Sequence, residues 1–122
     1  MNPKVRAAIE FLEASSGRQL LVDELANYVH LSRSRLFYLF KMGTGMSPLQ
    51  YLKTIRMREA CQLLENSLAS IKQVSAMVGY TDESHFLREF KKVYGVTPSQ
   101  YRAQYIPLIL AKISLQENRR NG

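Results

Sequence analysis

Ser34-Arg35-Leu36-Phe37-Tyr38-Leu39-Phe40-Lys41-Met42-Gly43-Thr44-Gly45-Met46-Ser47-Pro48-Leu49-Gln50-Tyr51 returns 50 positions later as Ser84-His85-Phe86-Leu87-Arg88-Glu89-Phe90-Lys91-Lys92-Val93-Tyr94-Gly95-Val96-Thr97-Pro98-Ser99-Gln100-Tyr101. Ser34, Phe40, Lys41, Gly45, Pro48, Gln50 and Tyr51 recur unchanged, while Leu36 and Ser47 recur as Phe86 and Thr97. Upstream the best register is 49, which aligns Val22, Leu25 and Val29 with Ile71, Val74 and Val78. The second copy therefore carries one extra residue between Val78 and Phe86, where a turn between helices tolerates insertion. A unit of two short helices and a turn, present twice, predicts a double helix-turn-helix chain.

Outward from the repeat, apolar residues recur at helical spacing nearly throughout, and no stretch of strict alternation signals a strand. Asn2-Pro3 places a capping side chain before a proline at the first helical position. Ser47 with Gln50, and Thr97 with Gln100, form reciprocal capping boxes, and Ser70 and Asp82 are further caps. Stops are expected at Gly17, at Gly43 through Gly45, and at Gly95. The predicted fold is all-α: seven helices in two homeodomain-like three-helix units joined by a long linker helix, with an eighth helix allowed near the C-terminus. The first unit is placed at 1–47, the linker helix at 48–65, the second unit at 66–105 and a tail at 106–122. Residues 107–115 of that tail, rich in Ile and Leu, are expected to form a short helix capping the second unit's core, with contact to a partner the alternative, and 118–122 to be disordered. The linker helix measures roughly 27 Å at 1.5 Å per residue. With the width of the units added, the two second helices are expected about one DNA turn apart, roughly 34 Å.

The charge balance narrows the function. Seventeen Lys and Arg against ten Asp and Glu give +7 over 122 residues. A small domain this basic faces a polyanion, most often nucleic acid, unless the charge serves solubility alone. No run of about eighteen apolar residues spans a membrane, and no basic-then-apolar leader is present. Cys61 is the one cysteine; a lone thiol fits a reducing cytoplasm and, set among Ala60, Leu63 and Leu64, a small core position. His30 and His85 lack partners at metal-ligand spacing, and no phosphate loop or nucleophile motif occurs. The reading is a DNA-binding chain, not an enzyme, with no cofactor and no metal.

In the first unit, 22–29 is the supporting helix and 32–42 the recognition helix. Leu36, Leu39 and Phe40 face the core, leaving Arg33, Ser34, Arg35, Phe37, Tyr38 and Lys41 outside. In the second unit, 71–78 supports and 82–94 recognises. Phe86, Phe90 and Val93 form the buried stripe, and Glu83, Ser84, His85, Leu87, Arg88 and Lys91 remain outside. Arg35 suits two parallel bonds to guanine. Phe37 and Tyr38 suit thymine methyl groups, or phosphate through the Tyr38 hydroxyl, with burial of Phe37 against a neighbouring helix the alternative. Arg88 occupies the place of Tyr38. Glu83 either accepts from a cytosine amino group or serves the helix dipole, and the dipole role is preferred. Phosphate contacts are expected from Ser32, Lys41, Lys53, Arg56, Lys91, Lys92 and Arg102, and from backbone amides at capped helix starts. Arg58, with Glu59 and Glu65, reads as solvating an exposed face.

Val78-Gly79-Tyr80-Thr81-Asp82-Glu83-Ser84-His85-Phe86-Leu87-Arg88-Glu89-Phe90-Lys91-Lys92-Val93-Tyr94-Gly95-Val96-Thr97-Pro98-Ser99-Gln100-Tyr101-Arg102 resembles the DNA-binding domain of the AraC/XylS family of bacterial transcription regulators. The similarity spans residues 3–105. Tyr80 stands for the usual Phe and His85 for the usual Tyr, both aromatic. The resemblance implies seven helices, binding to asymmetric double-stranded DNA sites near promoters, and activation through contact with RNA polymerase. It places base reading on Ser34, Phe37, Tyr38, Ser84, His85 and Arg88, and is least secure over 34–38, where family members differ most. Relatives carry a further ligand-sensing or dimerisation domain. The chain thus reads as a stand-alone regulator or, preferred because Asn2-Pro3 opens the first helix directly, as a domain excised from one. Two readers in one chain require no dimerisation of the domain itself, although the full-length protein can dimerise. A different class of reading, a basic helical module docking RNA polymerase or an acidic partner with only non-specific DNA binding, predicts that Arg88→Ala spares DNA affinity. An RNA-binding domain would want an aromatic stacking platform that the sequence does not offer.

Overall fold

The computed structural model describes residues 1–121. Among them it contains α1 (Pro3–Ser15), α2 (Val22–Tyr28), α3 (Arg33–Thr44), α4 (Pro48–Asn66), α5 (Ile71–Met77), α6 (Glu83–Tyr94), α7 (Pro98–Ala103) and α8 (Ile106–Asn121). None of these helices is long and apolar enough to cross a membrane. The starts are local chemistry. Asn2 Oδ1 accepts from the Lys4 amide at 2.8 Å. Ser47, Ser70 and Thr97 each accept from the amide three residues on, while Gln50, Gln73 and Gln100 reach back to the cap's own N–H at 2.8–2.9 Å. These bonds satisfy amides that have no partner inside the helix.

Contacts divide the chain inside α4, with unit 1 running over Met1–Arg58 and unit 2 beginning at Glu59. The core of unit 1 gathers Val5, Ala8 and Leu12 of α1, Leu25, Ala26 and Val29 around α2, Leu36 and Phe40 of α3, and Leu52 and Ile55 of α4, with Leu39 partly buried against it. Tyr51 sets its ring edge-on to Phe40 at 5.4 Å. Arg56 belongs to the same framework. Its Nε donates to the Ser16 carbonyl at 3.0 Å and an Nη to the Arg18 carbonyl at 2.8 Å. A cation thereby occupies the C-terminal end of α1, where the helix leaves carbonyls unpaired.

In unit 2, Ala60, Cys61, Leu64, Val74, Val78, Phe86, Phe90 and Ile109 are buried. Phe90 packs on Phe86 at 5.9 Å and on Tyr101 at 5.7 Å. The Tyr101 hydroxyl donates to Glu65 at 2.8 Å, and Arg102 Nε donates to the Leu64 carbonyl near the end of α4 at 3.3 Å.

One expected stop is placed more finely and two sequence expectations are corrected. The α3 helix runs through Gly43 and stops at Gly45, which takes the left-handed conformation at φ 78°. A Cβ on Gly43 would meet Val5 Cγ1 of α1 at 3.2 Å, so this glycine serves close helix packing rather than termination. Val93, the residue in register with Gly43, is 47% exposed, and the aromatic packing in the last turn of α6 comes from Tyr94, 4.7 Å from Phe90. The tail is α8, which continues as helix through residues 118–121 rather than stopping near 115; Gly122 lies outside the described residues. Ile109 of this helix is buried, whereas Leu108, Leu110 and Leu115 face outward.

Candidate nucleic-acid interface

Each unit offers the outer face of its second helix. In α3, Ser32 caps the start by accepting from the Arg35 amide at 3.1 Å. Leu36 and Phe40 point into the core, so residues about half a turn away must face outward. Ser34, Arg35, Tyr38 and Lys41 are exposed and Phe37 is half-buried, which matches a partly packed ring. The Arg35 guanidinium lies over the Tyr38 ring, 5.5 Å from its centre, and Arg33 pairs with Asp23 at 3.3 Å in solvent. Stacking holds Arg35 in one orientation while its donors stay available.

In α6, Asp82 accepts from the Ser84 amide at 2.9 Å and Glu83 sits in the first turn, favourable for the helix dipole. Phe86 and Phe90 are buried; Ser84, His85, Arg88, Lys91 and Lys92 are exposed. His85 is placed by two neighbours: Glu89, whose Oε1 is 3.5 Å from Nε2, and the Tyr80 ring, edge-on at 5.2 Å. Positions 34, 38 and 41 of unit 1 and 84, 88 and 91 of unit 2 are thus equivalent in register and in exposure.

The seven predicted phosphate contacts separate into groups. Ser32, Lys41, Lys91 and Lys92 are exposed on or beside the second helices, and Lys53 is half-buried on α4. Arg56 donates to two backbone carbonyls, whereas Arg102 donates to one through Nε and keeps a buried Nη2 without a hydrogen-bond partner; burial pulls the Arg102 pKa below the usual guanidinium value. Met42, which the sequence reading did not assign, is 71% exposed beside Tyr38 and Lys41, in register with Lys92.

The turn preceding each second helix is left-handed in both units. His30 has φ 56° and Gly79, its partner in the 49 register, has φ 97°. This abrupt reversal sets the angle at which the supporting helix meets the recognition helix. Among the described residues, no three His, Cys, Asp or Glu side chains gather as metal ligands.

The comparisons with known proteins agree with this geometry. A helix-turn-helix domain model matches residues 25–104. The lactose operon transcription activator of Staphylococcus xylosus is 34% identical over 105 residues, which cover 86% of this chain but 38% of that protein. The chain therefore spans little more than a third of that relative. The C-terminal domain of AraT, a response regulator from Geobacillus stearothermophilus, superimposes with a TM-score of 0.81 at 31% identity, covering 84% of this chain and 86% of the other. The DNA-binding domain of the global transcriptional factor AdpA, solved in complex with a target DNA, gives 0.81 at 29% identity, covering 85% and 94%. The chain belongs to the AraC/XylS family of transcription regulators and carries its DNA-binding double helix-turn-helix domain.

Proposed function

We propose that this domain binds double-stranded DNA sequence-specifically to regulate transcription, placing α3 and α6 in successive major-groove segments of an asymmetric promoter-proximal site. The observation that carries the reading is the duplicated outer face: two capped helices, each anchored by buried Leu36 and Phe40 or Phe86 and Phe90, each presenting a short side chain, a long one and a lysine at matching positions. Base reading falls to Ser34, Arg35, Phe37, Tyr38, Ser84, His85 and Arg88. Phosphate clamping falls to Ser32, Lys41, Lys53, Lys91 and Lys92, with Arg56 and Arg102 holding the fold instead. Activation is proposed on the name of the lactose operon transcription activator, and contact with RNA polymerase, in the cytoplasm, on the family resemblance alone. Two readers in one chain let the domain act as a monomer, whatever the assembly of a longer protein that contains it.

The test is selection of sites from a random duplex pool, then salt-titrated affinities for the winner and a scrambled control. The expected site has two informative blocks about one helical turn apart and binds about a thousandfold or more tighter than the control. Arg88→Ala should relax one or two base pairs within one block and cost about 1–3 kcal/mol. Equal, steeply salt-dependent binding to both duplexes would leave a basic module that docks a protein partner.

A further inference from the structure

The two outer faces are built alike but differ in chemistry at several aligned positions, Arg33 and Arg35 against Glu83 and His85 among them, and at two of these carbon on α3 stands in place of a cation on α6. Tyr38 and Met42 of α3 stand where α6 has Arg88 and Lys92. On α3, Phe37, Tyr38, Met42 and the stem of Lys41 line an open notch of about 460 Å³ whose surface is almost entirely carbon. Tyr38 is 57% and Met42 71% exposed, so this carbon is left in water by the folded domain.

Charge identifies the occupant. Lys41 forms part of the notch wall, and Arg35 is stacked on Tyr38 at its edge. An apolar recess bounded by cations suits a ligand that brings a small apolar group close to fixed negative charge. In the DNA major groove that group is the thymine C5-methyl, flanked by backbone phosphates. We propose that unit 1 reads thymine methyl groups through Phe37, Tyr38 and Met42, while unit 2 reads by charge and hydrogen bonding through Arg88. This rests on the DNA-reading function above and adds the base class that each unit recognises, with Met42 as a specificity-determining residue. A thioether is unbranched and polarizable, so it can follow a methyl in more than one position along the groove.

The experiment replaces thymine by deoxyuridine, one position at a time, in the selected duplex bound to the full chain. The exchange removes the methyl and leaves every hydrogen-bonding group of the base in place. The block relaxed by Arg88→Ala marks unit 2, and the other block belongs to unit 1. At one or more thymines of the unit 1 block, deoxyuridine should weaken binding about three- to tenfold, the scale of a buried methyl. The Met42→Ala and Tyr38→Ala variants, altered at exposed positions, should bind the thymine and deoxyuridine duplexes almost equally. Indifference to deoxyuridine throughout that block, with site preference intact, overturns the thymine reading and leaves sequence-specific binding standing. Sensitivity confined to the Arg88 block, or Met42→Ala and Tyr38→Ala variants with unchanged affinity and unchanged discrimination, also overturns it and turns the notch toward a protein partner. Selection of no site at all overturns both proposals together.

Discussion

His30 and Gly79 hold the same bend, and only one of them is built for it. A residue with a Cβ in the left-handed region costs roughly 1–2 kcal/mol, less for histidine than for a branched residue, whereas glycine adopts it freely. Replacing His30 adds freedom to the unfolded chain, which offsets part of the gain. His30→Gly should therefore raise unfolding stability by about 0.5–1 kcal/mol, read as a higher urea midpoint at constant m-value. An unchanged or lower midpoint would mean that the imidazole makes a contact worth as much as the strain. A second residue, Tyr101, gives the fold an alkaline limit. Burial first, then the hydrogen bond to Glu65 and the neighbouring Tyr105 and Cys61, push its phenol well above the ordinary value of 10. The folded state thus holds the proton more tightly than the unfolded state. That stabilisation is complete below about pH 10 and drains away as the pH climbs from there toward the folded value. Tyr101→Phe should be less stable at neutral pH, and its stability should fall less steeply above pH 10. Parallel curves for the two proteins would remove Tyr101 from the alkaline transition.

At the scale of elements, helix starts were legible because capping is local. Ser47 with Gln50, and Thr97 with Gln100, lie three residues apart, so a one-dimensional reading finds both partners. The outer faces of α3 and α6 were legible for a similar reason, since Leu36, Phe40, Phe86 and Phe90 fix the inward direction by periodicity alone. What escaped depends on the helix lying across the way. Gly43 fits against Val5 of α1, which is why it is small, whereas Val93 in the same register is exposed. The backbone contact of Arg56 escaped similarly: its acceptor on Ser16 is 40 residues away and leaves no trace in spacing. In α8 the apolar content was legible but its use was not, because Ile109 alone is fully withdrawn from water while Leu108 and Leu115 are each 59% exposed. Ile109→Ala should destabilise unit 2 by about 2–4 kcal/mol, the cost of emptying a buried aliphatic site. Leu108→Ser and Leu115→Ser should each stay within about 0.5 kcal/mol of the parent in a chemical-denaturation assay. Equal losses at all three positions would mean that α8 packs by more than the face bearing Ile109.

At the scale of the whole molecule the question is which of the cations behind the net charge of +7 meet DNA. Sequence offers no way to separate them, because a lysine in solvent and an arginine folded onto a carbonyl contribute the same unit to the total. Salt dependence separates them physically. Each phosphate neutralised releases counterions, so the slope of log K against log salt falls by about 0.9 per contact. Lys91, exposed on α6, should count: Lys91→Ala should weaken the selected and scrambled duplexes about equally and flatten the slope by about one, with unfolding stability unchanged. Arg56 should not. Its guanidinium is committed to the carbonyls of Ser16 and Arg18, and Ser16 is buried, so Arg56→Met removes a charged donor from both carbonyls. That variant should lose about 1–3 kcal/mol of stability while keeping the parent's salt slope at temperatures where it is folded. The pair of measurements decides between two uses of the same charge. A flattened slope with full stability in Arg56→Met would return Arg56 to the phosphate contacts, and an unchanged slope in Lys91→Ala would mean that the clamp of unit 2 lies elsewhere on its surface.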